Sequence, residues 1–462
     1  MKPFSSKPLI AAALSLAFGM FLVSIAKLGA AQQAPPQGAP ATQPAVAPAA
    51  PGAPGAPAVP GDGRGAGAGR GGRGGGGRGA TPLGDGPWDF TSGQEKIHIT
   101  VVTKGLDHPW GMAFVPGGDL LVTERPGRLR VVRKGVLDPA PITGLPQIRA
   151  VTLGGLLDIT LHPQFTQNRL VYFTYSKPGA EDPAKATLAV GRGRWDGGAA
   201  LTDVKDIFLA QPNYGGRGGP ARCCGQGPAD GSYGSRIVFD KDGTLFITSG
   251  DRNYGELSQD PSNHIGKILR VRDDGTVPPD NPFVGRAGYA PEIYSLGHRN
   301  PLGLALHPVT GELWSTEFGP RGGDELNRVQ KGKNYGWILI TNGDHYNGEP
   351  AKLGKNSIPG YEDPVLWWGP SYNPGNLIFY NGDKFPAWKG NYMMATMSAA
   401  GQGGPHLLRV PFDAQGKPSG TQEKMLVEIG HRLRDVRQGP DGLLYVLTDD
   451  TAGAILKIEP GK

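Results

Sequence analysis

Two arginines spaced two apart, Arg432 and Arg434 in the segment HRLRDV, carry the first chemistry this sequence offers. On an extended strand residues i and i+2 face the same side, so both guanidinium groups point one way. Arginine forks grip carboxylates bidentately, which lysine does not do. Arg299 and Asn300 form a second group, in a Gly-His-Arg-Asn-Pro turn that breaks regular pairing and frees side chains to face a ligand. His162 and His307 both sit in Leu-His-Pro turns after an apolar run, where an imidazole that satisfies its own turn is the better reading. The only cysteines, Cys223 and Cys224, are adjacent. Adjacency excludes a loop-closing staple, and a lone pair lacks zinc-ligand spacing; closure on each other in a strained ring and two separate thiols both stay open.

These groups need a scaffold, and one phrase recurs along the chain to supply it. A short apolar run, a turn rich in Pro, Asp and Gly, and a second apolar run ending in Thr, Ser or Asp begin at Trp110, Leu156, Arg236, Leu302 and Leu433, with a looser copy at Asn376. Each phrase reads as two strands joined by a tight turn. The span from 95 to 460 divided by six gives roughly 60 residues per unit, enough for a four-stranded blade with one long loop. A lone blade cannot bury both faces of its sheet, whereas six around an axis can. The sequence therefore predicts an all-β six-bladed propeller over residues 95–460. A two-sheet sandwich would need far fewer strands. No GxGxxG opens a helix and no P-loop occurs, so nucleotide cofactors have no support.

Ahead of the propeller, Lys2 and Lys7 precede an apolar run from Leu9 to Ala26 with small residues following, the order of a secretory leader over residues 1–31. Residues 32–88, made of Ala, Pro, Gly and Arg, read as a disordered tether. Membrane contact is expected only through the leader, if uncleaved, and the protein is expected in the periplasm or outside the cell. The first 80 residues hold seven basic side chains against one acid, Asp62, and this surplus equals the whole formal charge of +6. The folded part is thus about neutral, which argues against a nucleic-acid partner.

The stretches SLGHRNPLGLALHP, EFGPRGGDELNRVQKGKNYGW and RLRDVRQGPDGLLYVLTDD resemble the signature segments of the glucose/sorbosone dehydrogenase family, soluble quinoproteins that oxidise sugars with pyrroloquinoline quinone (PQQ). The resemblance runs from about Gly105 to Glu459 and implies a site at one end of the propeller holding PQQ and calcium, with a sugar substrate and an external electron acceptor. Arg299, Asn300, Arg432 and Arg434 match the family's cofactor contacts, and PQQ carries three carboxylates for them. Gly319 and Pro320 match positions whose carbonyls meet calcium. Asp324, Glu325 and Tyr335 fall where the family has a structural metal environment; a loop braced by carboxylate-to-backbone hydrogen bonds is the other reading.

Three positions depart from the pattern. The family's catalytic histidine falls on Ser232, which has no free base near neutral pH. A glutamine falls on Leu153 and a lysine on Met397. Asp251 in SGDRN matches the carboxylate partner of that histidine, and reads either as a weaker base or as a turn brace. The loop from Asn213 to Gly231 contains no histidine, and His298 is the nearest one by motif. The expected function is PQQ- and calcium-dependent oxidation of an aldose or related alcohol at its anomeric carbon. The alternative is a propeller that binds a carbohydrate or envelope partner without oxidising it; lactone hydrolysis rests on fold analogy alone.

Cys223 and Cys224 lie where the resemblance puts the chemistry, and a ring-closed pair there would form a flat platform for a planar ligand. Mass spectrometry of alkylated, oxidised protein tests this. A closed ring blocks alkylation at both sulfurs, and two alkylated thiols remove the idea.

Overall fold

The hairpin phrases become the inner halves of six sheets. The computed structural model describes residues 82–93, 95–213, 231–355, 357–398, 403–413 and 415–462. The leader, the tether up to residue 81 and the cysteine pair lie outside the described residues.

Among the described residues there are six antiparallel sheets arranged as a propeller. Their innermost strands are Pro109–Phe114, Leu156–Leu161, Gly234–Phe239, Pro301–Leu306, Pro374–Phe379 and Leu433–Gln438. Each packs against the next, and Leu433–Gln438 packs back on Pro109–Phe114 to close the ring. Five blades have four strands. The sixth takes its inner three from the C-terminus and pairs Gly453–Pro460 with Glu95–Leu106, so the two ends of the folded region lock the ring together. Trp88–Ser92 adds a fifth strand to that blade. The folded region therefore starts ahead of residue 95, because Glu95–Leu106 offers an edge for pairing and Trp88 and Phe90 pack on its core.

One irregularity is common to all blades. Every innermost strand shifts register against its neighbour near its start, at Pro109/Gly111, Leu156/Ile159, Gly234/Ile237, Pro301/Gly303, Pro374/Leu377 and Leu433/Asp435. A bulge frees backbone groups that must find partners. Threonine near the end of the second strand supplies them. The hydroxyls of Thr123, Thr174 and Thr248 accept the N–H of Gly111, Asp158 and Arg236 at 3.0, 2.8 and 2.9 Å. The same side chains donate onward to the next blade, from Thr123 to Leu157 O, from Thr174 to Ser235 O and from Thr248 to Pro301 O. Thr316 continues the series to Gly375 O at 3.0 Å. In four of the six blades this Thr is thus a stitch between blades, whereas Thr396 and Thr448 bond within their own blades, to His406 and Ala454.

Below the bulges the axis is filled by charge. Arg236, 1% exposed, pairs with Asp158 at 3.0 Å and Asp435 at 3.3 Å. Arg437 pairs with the same two carboxylates at 2.9 and 3.0 Å. Two cations thus face two anions, which is what burial of any of them demands. Gly111 makes room for this layer, since a Cβ there would lie 2.6 Å from Asp158 Oδ1.

Thr248→Val keeps the shape but leaves the Arg236 N–H and the Pro301 carbonyl unpaired in a buried place. A loss of about 1–3 kcal/mol in chemical denaturation is expected. Unchanged stability would mean that the stitch contributes nothing.

Candidate functional site

The bulges tip the second residue of the innermost strands toward one end of the ring. Trp110, Leu157, Ser235, Leu302 and Arg434 occupy that position in five blades, and all five line one cleft. The cleft encloses about 180 Å³ and is partly open to solvent. The turns that follow the second strands complete its wall with Arg125, Phe318 and Met397, and the lead-in loops add Leu153, Ser232, Asn300, Asn373 and Arg432.

Cations dominate this lining. Arg125, Arg432 and Arg434 border the cleft, and no Asp or Glu does so among the described residues. Arg434 is buried and pairs with Asp449, and its Nε has no partner. Burial pushes its guanidinium down to about 10 despite that carboxylate. Arg432 is half exposed; it donates to Met397 O at 3.1 Å and reaches Asp449 at 3.3 Å. Asp449 is also 3.1 Å from His108 Nδ1. Burial opposes charge on Asp449, yet Arg434, His108 and Arg432 hold its carboxyl well below the usual range. One buried anion therefore fixes both arginines.

The Arg299-Asn300 turn is held from beneath by Glu317. Its carboxylate accepts the Arg299 N–H at 2.7 Å and the Asn327 amide at 2.7 Å, and lies 3.2 Å from His298 Nδ1. Asn300 lines the cleft, and its Oδ1 accepts the Gly234 N–H at 3.0 Å. Arg299 lies just behind, donating to Phe318 O, with its guanidinium 5.4 Å from the Trp337 ring centre. His298 is fully buried, with its other nitrogen 2.8 Å from Ser295 Oγ, so it braces the turn and does not face a ligand. His162 and His307 accept backbone N–H groups of their own turns.

Ser232 lines the cleft in a left-handed backbone conformation, φ 49°. Its hydroxyl donates to Asn253 Oδ1 at 2.9 Å; the Asn253 N–H donates to Asp251, and Asp251 accepts the Trp337 indole N–H at 2.8 Å. Asp251 is fully buried and does not line the cleft. The structure thus makes Asp251 a brace for Asn253 and Trp337, because both its oxygens accept bonds that shape the wall.

The five residues expected around metal separate into three groups. Asp324 accepts the Gly319 N–H through one oxygen, and through the other the Ser371 hydroxyl and the N–H groups of Tyr372 and Asn373. That spends its lone pairs on the loop that carries Asn373 into the cleft, and takes Asp324 out of the set free to ligate. Gly319 and Pro320 follow Phe318 at the cleft wall; a Cβ at Gly319 would lie 2.1 Å from Gly322 O, so only glycine fits. Glu325 and Tyr335 line a different hollow, with Asn342, Glu362 and Asp363. Burial, and then Glu317, push Glu325 well above the usual carboxylate range. These oxygen donors suit a hard cation, but Lys355 lines the same hollow and Lys333 already pairs with Glu362 at 2.7 Å, so part of their repulsion is met by the protein itself. No three His, Cys, Asp or Glu side chains among the described residues are already arranged around one point, so backbone carbonyls would have to complete such a site.

Arg125, Asn373, Phe318 and Asp449 are site residues that sequence reasoning missed. A signal existed for two of them: Arg125 and Asp449 directly follow the end of a second strand, in VTER and LTDD.

The comparisons with known proteins follow this geometry. A sequence model described as glucose/sorbosone dehydrogenase matches residues 106–457. The aldose sugar dehydrogenase YliI of Escherichia coli is 39% identical over 367 residues, covering 79% of this chain and 93% of the relative. A solved glucose dehydrogenase is 41% identical with a TM-score of 0.71, covering 79% of this chain and 99% of its own. The PQQ-bound aldose sugar dehydrogenase of Streptomyces coelicolor is 28% identical with a TM-score of 0.61, covering 80% of this chain and all of its own.

Asp449→Asn tests the clamp. Asp449 contributes stability above the ordinary Asp range, about pH 3.9, and loses it as pH falls through its depressed folded value. The variant is expected to be less stable by about 3–5 kcal/mol at neutral pH, because Arg434 is left without its counter-charge. In denaturation across pH, the gap to wild type is expected to hold above about pH 5 and to narrow below about pH 4. A gap independent of pH contradicts an ionised clamp.

Proposed function

Because the chain belongs to the glucose/sorbosone dehydrogenase family, we propose that it oxidises an aldose or related alcohol at the anomeric carbon, with PQQ in the cleft, calcium beside it and an external acceptor taking the electrons. The observation that carries this reading is the cleft lining of three arginines without a carboxylate among the described residues. Such a lining suits an anionic ligand, and a planar tricarboxylate fits both its cations and its apolar surfaces.

Each group has a task in this reading. Arg432 offers an open guanidinium fork to a carboxylate, and Arg434 adds a fixed positive charge beside it. Asn300, and Arg299 behind it, serve the cofactor from a blade two places away in the ring. Trp110, Leu157, Leu302 and Phe318 give the planar ring an apolar bed from which water is excluded. The carbonyls of Gly319 and Pro320 are the proposed calcium donors at the cleft, and Glu325 and Tyr335 those of a structural cation. When bound, PQQ supplies the two-electron acceptor that no side chain can provide. Ser232 can orient a substrate hydroxyl, but it cannot take its proton near neutral pH. The leader-like residues 1–31 support export to the periplasm or beyond.

A propeller that binds a carbohydrate or envelope partner without oxidising it is the second reading, favoured by Ser232 in the place of a base. Titration of purified protein with PQQ and calcium, followed by dye reduction over a sugar panel, separates the two. Binding with turnover supports oxidation, and binding without turnover favours the second reading. Arg432→Gln is expected to weaken PQQ binding about 10- to 100-fold with little change in thermal stability. Undiminished affinity in this variant contradicts the assignment of Arg432.

A further inference from the structure

A buried charge ordinarily faces an opposite one, as Arg236 and Arg434 do with their carboxylates. Lys267 is held differently. It is fully buried at the start of the third-blade strand Lys267–Val271. Its ammonium donates to the backbone carbonyls of Leu257, Ser258 and Ile265 at 3.0, 2.9 and 2.6 Å. Three N–H groups meet three carbonyls, so the donor capacity of the side chain is spent. Asp260 is the carboxylate that acts on it, and one of its oxygens accepts the N–H and hydroxyl of Ser262. Three carbonyl oxygens converging on one point repel one another unless a cation sits among them, and here the chain supplies its own.

The gathered loop supports the cleft wall from behind. Ser258 O, one of the three oxygens, also accepts the Gly297 N–H at 3.1 Å, and the Ser258 hydroxyl donates to Trp337 O. The Trp337 N–H returns to Gly297 O at 2.9 Å, and the His298 N–H bonds to Gly266 O, next to Lys267, at 3.1 Å. Gly297 leads into the turn of Arg299 and Asn300, and Asn300 lines the cleft. On the other side the Trp337 indole holds Asp251, which holds Asn253 beside Ser232. Lys267 does not line the cleft, so whatever it does for a ligand passes through these residues.

We propose that Lys267 is a positioning residue of the cleft: its ammonium gathers the 257–265 loop and, through Ser258, sets the Arg299–Asn300 turn and Trp337 in place for a ligand. Burial pushes the ammonium down to about 7, with Asp260 opposing. A neutral amine has two N–H groups for three carbonyls, so the wall loosens as pH rises through that value. The loss is local. An exposed lysine stays charged to about pH 10.4, so this deprotonation favours the folded chain overall. The other ionisable groups on the packed elements are Asp251 beside the strand, Glu256 and His264 on the loop, His298 and Arg299 on the turn, and Tyr335 before Trp337. Glu292 lies beside His264 and Glu317 beside His298.

Lys267→Met removes the charge at nearly unchanged length, and Lys267→Arg keeps it. In apoprotein, amide hydrogen exchange at residues 255–259, 296–300 and 335–338 is expected to speed up about tenfold in Lys267→Met, with the inner strands Pro109–Phe114 and Leu433–Gln438 unchanged. Lys267→Arg is expected to retain part of the protection. PQQ affinity, the one readout that rests on the oxidation reading, is expected to fall about tenfold in Lys267→Met. In wild type it falls as pH rises through about 7 while thermal stability does not, and Lys267→Met lacks this pH limb. Nitrogen NMR of the lysine side chains in wild type needs no variant to fold: the Lys267 signal is expected to titrate in step with loosening at 296–300. Unchanged exchange at 296–300 in folded Lys267→Met overturns the proposal. So does protection lost evenly over all six blades, since a merely structural role does that, or a Lys267 that titrates with no change at 296–300. If wild-type protein binds no PQQ, the oxidation reading has failed, and the exchange and NMR measurements still decide the role of Lys267.

Discussion

The bulge at the start of every innermost strand is the constraint on which the rest of the molecule depends. In three blades a threonine hydroxyl on the neighbouring strand both accepts the freed N–H and donates to the next blade, as Thr174 does between Asp158 and Ser235. One side chain thus satisfies a local defect and joins two sheets. Without it the bulge would leave buried polar groups unpaired, and the inner strands would favour regular pairing. Regular pairing would turn the second residue of each inner strand away from the axis and remove the floor of the cleft.

The bulges also divide the axis into two layers. Below them the Arg236–Asp158–Asp435–Arg437 group is electrically closed, with each charge facing an opposite one. Above them the balance is broken in favour of cations, since Asp449 is shared by Arg432 and Arg434 while, among the described residues, Arg125 has no carboxylate beside it in the cleft. The lower layer holds the inner strands together and the upper layer faces the ligand. That places binding at the end where the strands begin, and leaves the other end to packing.

Much of this was legible in the sequence. The six phrases mark the blades because turn chemistry and period-two alternation are local properties, and a Thr near the end of four of them is a stitch. Arg432 and Arg434 share the cleft for the same local reason. Asp324 and Asp251 were harder, because only the fold shows that Asp324 is spent on Ser371, Tyr372 and Asn373, and Asp251 on Asn253 and Trp337. Arg125 and Asp449 depend on which loops meet above the axis, and no spacing along the chain encodes that. The boundary near residue 95 was misplaced because Trp88–Ser92 becomes a strand only when the Glu95–Leu106 edge is there to receive it.

The central claim is that the cation-rich cleft receives a tricarboxylated quinone. A crystal structure of the protein soaked with PQQ and calcium tests it most directly. The account predicts the quinone over Trp110, with carboxylates within hydrogen-bonding distance of Arg432 on one side and of the Arg299–Asn300 turn on the other. A quinone bound elsewhere, or a cleft without it at saturating concentration, would contradict the account.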